Sequence, residues 1–462
     1  MAESLSRTIA IVGSGYSGTA TALQLLRQAR NQTIRVVLIE RGPDFGRGLA
    51  YARSAYPYLL NVPASRMSAT ESEPAEFLRF AQRRSVGATG EDFLPRAWYG
   101  DYLQELLAAA AAGSGPTARL ERRRGEVVDL TVARHDAPVT LTFADGERLA
   151  VDEAVLALGA PLPRLPASVQ CTAEWPAFRQ DPWAEAPALA GRGPLLVIGT
   201  GLTMIDVVCA AVDREPDVVI HALSRHGLIP PRQTAFRPDA LHDDGGLLAM
   251  SAGSTLKLMA AVRRLAREAE RRGGDWREAV TQVRRQAPGL WASLSDSERA
   301  RFLRHARSYW DIHRHRVPAA VLARLDALRA TGQLSVHAGR LRSLQAHGSG
   351  VRATWSIRGA ARMQTLEAAA VVNCTGPDYN VTRSPDRLWL RLLDRGHAVA
   401  DALELGIRTG PYGALVGRDG ATSRHVYYIG PLLRADHWEA TAVGELRLHA
   451  ERLAGALLNR SS

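Results

Sequence analysis

The residues whose spacing can do chemistry begin at Gly13-Ser14-Gly15-Tyr16-Ser17-Gly18. In a Gly-x-Gly-x-x-Gly turn, Gly13 permits a tight reversal, Gly15 lets the backbone approach a pyrophosphate, and Gly18 lets a helix sit close on a strand. The pyrophosphate then rests at a helix N-terminus, where unpaired N–H groups and the helix dipole favour negative charge. Glu40 follows at roughly the 20-residue interval at which a carboxylate accepts hydrogen bonds from a ribose hydroxyl. Ser17 inside the turn and Arg41 beside the acid join this candidate set. A second turn of similar type, Gly199-Thr200-Gly201-Leu202-Thr203-Met204, offers Gly199 and Gly201. Met204 stands where the third glycine would be, which weakens close helix–strand packing. No acid closes the apolar run that follows. Ser224-Arg225-His226 closes it instead, and Arg225 is placed to meet a ribose 2′-phosphate, favouring NADPH over NADH. A solvated arginine on a structural unit is the competing reading.

Further candidates lie outside the two turns. Gly46-Arg47-Gly48 belongs to a turn-rich loop just after the ribose acid, where a cofactor's phosphates would pass. Asn61, Arg66 and Met67 fall in Leu59–Ser68, a segment able to line a site where a flat ring meets polar tails; a capped surface loop fits the same residues. Gly159, Gly376 and Gly430 each follow a buried apolar run, and Thr441 lies in the turn leading to the last helix. For substrate or proton handling the candidates are His313, Arg316, His437 and Trp438. A packed aromatic with solvated cations is the alternative for the Tyr309–Arg316 string. His313 and His315 are two apart, hence on different faces of a helix, and no cysteine or acid cluster lies nearby, so no metal site is expected.

These residues require particular elements. A β-branched run at Thr8–Val12, a helix-forming stretch at Thr19–Arg30 and a second apolar run at Ile34–Ile39 make a βαβ order around the first turn. That order separates a dinucleotide fingerprint from an ordinary Gly-rich turn. Helices are expected over 74–84 and 98–112, the second stopped by Gly113-Ser114-Gly115-Pro116. Residues 118–150 read as short strands with a hairpin at 139–147, and Asp152–Ala160 as a buried parallel strand. Around the second turn the strand Leu195–Ile198, a helix and the strand Val218–Leu223 repeat the opening design. Residues 251–330 read as mostly helical and Arg-rich, broken at Gly273-Gly274 and Pro288-Gly289. Short strands resume over 334–345 and 351–357. Buried strands follow at 368–376 and from 426, then a helix over about 439–458.

The chain's 462 residues suffice for two or three domains, and a 46% hydrophobic, 23% charged composition is that of a globular protein. No apolar run reaches the about 18 residues of a membrane span, and Met1–Arg7 holds no apolar signal core, so neither membrane nor export is expected. Cys171, Cys209 and Cys374 are far apart and form no Cys-x-x-Cys, which argues against disulfide-reductase chemistry and against zinc or iron–sulfur sites. A reducing, cytoplasmic setting is expected. The net charge of +11 is carried by arginine, with Lys257 the only lysine. No aromatic-rich basic module accompanies it, so nucleic acid is not an expected partner.

Two fingerprints with strand-to-Gly turns after each half resemble the two-dinucleotide-binding-domain flavoproteins. The strings Gly13–Gly18, Leu60–Ser68, Trp310–Arg316, Asn373-Cys374-Thr375-Gly376-Pro377, Ile429–Leu432 and His437–Val443 resemble the bacterial FAD/NAD(P)-binding protein family over nearly the whole chain. N-hydroxylating and Baeyer–Villiger flavin monooxygenases are more distant relatives. The resemblance implies an α/β fold of two Rossmann-like domains, one for FAD and one for NAD(P)H. The second is inserted in the first and carries an extra helical segment. The expected boundaries are 1–165 and 366–462 for the FAD domain and 190–365 for the insert, with the helical segment at 251–330. The implied activity is FAD-dependent oxidation of NAD(P)H, foremost a monooxygenase in which oxygen adds to reduced flavin at C4a and the peroxyflavin oxygenates a small substrate such as an amine or amino acid. The expected partners are that small molecule and molecular oxygen. A plain FAD dehydrogenase or reductase, or a flavin-bound sensor with a degenerate second site, are the alternatives.

Overall fold

A computed structural model describes residues 7–29, 32–54, 56–115, 117–132, 138–173, 176–183, 193–234 and 246–460. Two compact units emerge: one takes residues 1–160, 287–292 and 379–462, the other 161–286 and 293–378.

The first unit is built on a six-stranded sheet, ordered Ala414–Val416, Thr422–Tyr428, Glu153–Leu156, Arg7–Val12, Ile34–Glu40 and Ala118–Arg124. All neighbours from Thr422–Tyr428 to Ala118–Arg124 are parallel. Strands covered on both faces read as continuous apolar runs, and the opening strand shows why. Ile9 and Ile11 enter one core, with Leu23 and Leu26 of the helix Tyr16–Gln28, Tyr99 and Tyr102 of the helix Arg96–Gly113, and Leu453 and Leu457 of the helix Val443–Leu458. Ala10 and Val12 face a second core, formed with the antiparallel strands Val127–Val132, Val139–Phe143 and Arg148–Val151 and the helix Arg387–Asp394. Burying one such aliphatic side chain is worth roughly 1.5–3 kcal/mol, so both layers are held chiefly by apolar area.

The second unit carries an eight-stranded sheet. Its main order is Met363–Ala368, Gly350–Ile357, Leu334–His347, Ile220–Ser224, Leu195–Ile198, Ala370–Asn373 and Phe178–Arg179, and Gln170–Cys171 pairs with Leu334–His347. The four strands from Leu334–His347 to Ala370–Asn373 are parallel where they adjoin, and the helix Leu202–Arg214 follows Leu195–Ile198. Helices fill residues 246–251, 255–271, 277–293, 296–305, 307–314 and 319–330.

Several expectations change in detail. The first helix starts at Tyr16, directly after Gly15, rather than at Thr19, and Arg30 lies outside the described residues. The break expected at Pro288-Gly289 does not occur, and the helix Arg277–Ser293 runs through it. Leu290 and Trp291 beyond the proline are buried, and the Trp291 indole N–H donates to the Ala435 carbonyl at 2.8 Å, so tertiary packing outweighs the lost backbone bond. The strand Ala370–Asn373, expected in the C-terminal part of the FAD domain, pairs with Leu195–Ile198 in the second sheet.

Candidate functional site

At the first turn the three glycines have separable roles. Gly13 has φ +103°, and a Cβ there would stand 2.3 Å from the Ala157 carbonyl oxygen. A Cβ at Gly18 would meet the Gly13 carbonyl oxygen at 1.9 Å, so the helix can start this close to the strand only with glycine. A Cβ at Gly15 meets only the Gly48 Cα, at 3.6 Å. Its opposite number is tighter: a Cβ at Gly48, φ +58°, would be 2.8 Å from the Gly15 Cα. The loop after the ribose acid therefore lies against the fingerprint as a bare backbone cradle, the surface a pyrophosphate needs.

Glu40 closes the cradle. Its carboxylate accepts from the Ser14 N–H at 2.9 Å, the Ser14 hydroxyl at 2.8 Å and the Gly42 N–H at 2.9 Å. These bonds fix its position while leaving acceptor capacity for a ribose hydroxyl. Arg47, 2% exposed, pins the cradle loop to the helix Arg96–Gly113 through Asp101, the Gln104 side chain at 2.8 Å and the Ala97 carbonyl at 3.2 Å. The C-terminal turn reaches the same place, since the Tyr16 hydroxyl donates to the Val443 carbonyl at 3.2 Å and the Ile429 N–H to the Leu156 carbonyl at 2.9 Å.

The other first-site candidates fall as follows. Ser17 is buried, Arg41 exposed, and Asn61 and Thr441 half-buried. Met67 is buried in the core beside the loop, and Arg66 is exposed. Gly159 (φ +75°) and Gly430 (φ +143°) sit in the turns after their strands. A wall of rings was missed by sequence reasoning: Tyr51, Phe77, Phe80, Tyr99 and Tyr102 join Tyr16, with the Tyr51 and Tyr99 centroids 4.7 Å apart. Its signal was the i, i+3 spacing of Phe77 with Phe80 and of Tyr99 with Tyr102. Burial pushes the Tyr51 hydroxyl up to about 12, so it stays neutral at physiological pH.

The second turn repeats the backbone arrangement of the first at its opening glycine. The Gly199 N–H donates to the Leu223 carbonyl at 2.7 Å, as the Gly13 N–H does to that of Ile39 at 2.9 Å. A Cβ at Gly199, φ +111°, would meet the Cys374 carbonyl oxygen at 2.3 Å, and Gly376 (φ +85°) stands to Cys374 as Gly159 does to Ala157. The Ser14–Glu40 clamp returns as a hydrogen bond of 2.9 Å between the hydroxyls of Thr200 and Ser224. A hydroxyl thus stands where the first turn has its acid, so this position carries no negative charge. Met204 is fully buried, which the helix approach seen at Gly18 would forbid. The space over Gly201 is open, with no atom within 4 Å of a Cβ placed there. The Asn373 side chain, itself 0% exposed, accepts from the Thr375 hydroxyl at 2.7 Å, and its amide nitrogen has no partner among the described residues.

Arg225 is exposed and donates to the Ser308 hydroxyl at 3.4 Å. Within the same unit, the His313 Nδ1 hydrogen-bonds to the Tyr309 carbonyl at 2.7 Å, the ring is edge-on to Trp276 at 5.1 Å, and Arg316 is half-buried. In the first unit, Trp438 is 5% exposed, packed between the Arg434 guanidinium at 3.7 Å and the Trp291 ring at 4.8 Å. His437 faces His449, with ring centroids 4.7 Å apart. Burial lowers the pKa of both, that of His449 to about 4, where the charges of His437 and Arg452 add to the effect. Among the described residues no three His, Cys, Asp or Glu side chains could hold a metal ion, and no helix is long and apolar enough to cross a membrane.

Comparison with known proteins agrees with this geometry. Residues 10–161 match a family model described as FAD-NAD(P)-binding. No curated protein matches the sequence. Among solved structures, L-lysine 6-monooxygenase from Pseudomonas syringae is similar at 18% identity and TM-score 0.64, covering 98% of this chain and 99% of that one. Ornithine hydroxylase from Pseudomonas aeruginosa is similar at 16% identity and TM-score 0.64, with the same coverage. Ornithine N-hydroxylase from Kutzneria sp. 744, solved with reduced FAD, NADP+ and L-ornithine, is similar at 15% identity and TM-score 0.62. Residues 10–161 thus match an FAD-NAD(P)-binding model, and the chain as a whole shares the fold of these hydroxylases and monooxygenases.

Proposed function

We infer that the protein is an NADPH-consuming FAD monooxygenase acting on a small amine or amino acid. The observation that carries this reading is the duplicated turn, Gly13–Ser14–Glu40 and Gly199–Thr200–Ser224, in which only the first ribose position keeps an acid. That asymmetry suits two different dinucleotides. The full-length likeness to an ornithine hydroxylase and a lysine monooxygenase supports an amine as substrate.

The first cradle fits FAD: its bare backbone faces a pyrophosphate and Glu40 a ribose. Bound FAD supplies hydride acceptance and oxygen activation. This chain's residues bind and orient. Gly15 and Gly48 face the phosphates, with Gly13 making the turn and Gly18 seating the helix behind it, and Glu40 faces the ribose, with Ser17, Arg41, Asn61, Arg66, Gly159, Gly430 and Thr441 as further contacts and Met67 as apolar backing. Gly199, Gly201 and Gly376 would hold the second pyrophosphate, and the unpartnered Asn373 amide is a donor waiting beside it. Burial lowers the pKa of His437, and the neutral ring this favours offers a nitrogen as hydrogen-bond acceptor. His313 donates through Nδ1 to the Tyr309 carbonyl in the tautomer that leaves Nε2 as acceptor. Arg316 is able to pair with a substrate carboxylate, and Trp438, in the first unit, is able to offer an apolar ring.

The test is NADPH oxidation by the yellow purified protein against a panel of diamines, ornithine and lysine. Oxygen uptake matched by hydroxylamine product supports the reading. NADPH consumption that is the same without oxygen and yields no oxygenated product refutes it in favour of a reductase.

A further inference from the structure

Three neighbouring strands of the second sheet bring Arg225, Arg340 and Arg358 to the same end of the sheet beside the second turn. Ser224, the last residue of its strand, is in register with Ala338. The Arg358 N–H donates to the Ala338 carbonyl at 2.9 Å, and Arg340, two residues on, lies on the same strand face as Ala338. A Cβ at Gly227, φ +64°, would stand 3.2 Å from the Ala338 Cβ, so the Ser224–Gly227 turn lies directly over that residue. Arg225, Arg340 and Arg358 are all exposed, and among the described residues none of them pairs with a carboxylate. The three positive charges reach the same neighbour: all of them, after burial, lower the pKa of His226. By contrast, Arg47, Arg391 and Arg395 each face an acid. Three cations converging where the ribose acid is missing make a site for a dianion.

We propose that Arg340 and Arg358, together with Arg225, form the pocket that reads the 2′-phosphate of NADPH, making them specificity-determining residues for the nicotinamide cofactor. The proposal rests on the second turn being the nicotinamide site, not on the oxygenation chemistry. Three guanidinium groups divide one phosphate's charge. Removing one costs a charge-assisted hydrogen bond, about a tenfold loss.

The test is calorimetric titration of the FAD-loaded protein with 2′,5′-ADP and with 5′-AMP, for the wild type and for Arg225→Ala, Arg340→Ala and Arg358→Ala. The expected result is tighter binding of 2′,5′-ADP by wild type. Each variant should lose about tenfold for 2′,5′-ADP and stay within about twofold for 5′-AMP. Arg340→Lys should keep part of the preference, and flavin content and melting temperature should not change, because these side chains are exposed. Equal binding of the two probes by wild type, with NADH bound as well as NADPH, overturns the proposal and leaves the nicotinamide site standing. Unchanged 2′,5′-ADP binding in Arg340→Ala and Arg358→Ala also overturns it. A wild type that binds no nucleotide at this turn overturns both the proposal and the site it rests on.

Discussion

At the scale of residues, the two kinds of glycine in the first turn predict different losses. Gly18→Ala forces a Cβ to 1.9 Å from the Gly13 carbonyl oxygen, so backbone must shift. It should cost about 3 kcal/mol or more, read as a fall in the urea midpoint. Gly15→Ala meets only an ordinary 3.6 Å contact, so stability should hold while flavin absorbance in the purified protein is lost. Equal destabilisation by the two would contradict the division of roles. Glu40→Ala removes the acceptor of three hydrogen bonds and should weaken FAD binding about tenfold or more, measured by flavin fluorescence titration. His449 supplies a pH test. Its pKa is depressed from 6.5 to about 4, so the folded state resists protonation that the unfolded state accepts. The stability it contributes is complete above pH 6.5 and is lost as pH falls towards about 4, by up to about 3 kcal/mol. His449→Gln should flatten that part of the pH profile of the melting temperature; a variant with the parent's slope would contradict the assignment. At this scale the sequence was most readable where backbone geometry demands glycine. The Thr200–Ser224 clamp was not readable, because a hydroxyl pair has no spacing signature.

At the scale of elements, the cradle depends on how a loop is fastened to a helix. Arg47 is the fastener, buried and bonded to Asp101, Gln104 and the Ala97 carbonyl. Arg47→Met should destabilise the protein by about 3 kcal/mol, seen as a lower urea midpoint, and loosen FAD with it, since a buried partner is removed from an ion pair. A variant with parental stability and flavin affinity would show that the loop is held otherwise. The βαβ units, the hairpin at 139–147 and the last helix were legible because each carries its own period and stop signal. The edge strand Met363–Ala368 was not: five of its six residues are exposed or half-buried, so it offers no apolar run. Pro288 misled for the opposite reason. A local breaker was outweighed by burial of Leu290 and Trp291, which no local rule contains.

At the scale of the whole molecule, the chain carries two similar strand–turn–helix units, the first with an acid, Glu40, clamped to its turn and the second with a hydroxyl, Ser224, and the proposal is that each holds a dinucleotide. Most of that was legible: two fingerprints in order, a helical insert, and a C-terminal return to the first sheet. The return strand Thr422–Tyr428 does pair with Glu153–Leu156. The strand Ala370–Asn373 joins the other sheet instead, a choice between two similar partners that its own four apolar-to-polar residues do not encode. The wall of aromatic rings and the arginine cluster come from segments far apart in the chain and exist only once the sheets are formed. The central claim is that the protein uses FAD and NADPH to spend oxygen on an amine. One measurement tests it most directly: simultaneous recording of NADPH oxidation, oxygen uptake and hydroxylamine formation by the purified protein with an amine panel. The account predicts that one amine raises all three together in equal amounts, and that removing oxygen leaves the flavin reduced with no product. NADPH turnover that proceeds without oxygen, or oxygen uptake that ends wholly in hydrogen peroxide with every amine, would contradict it.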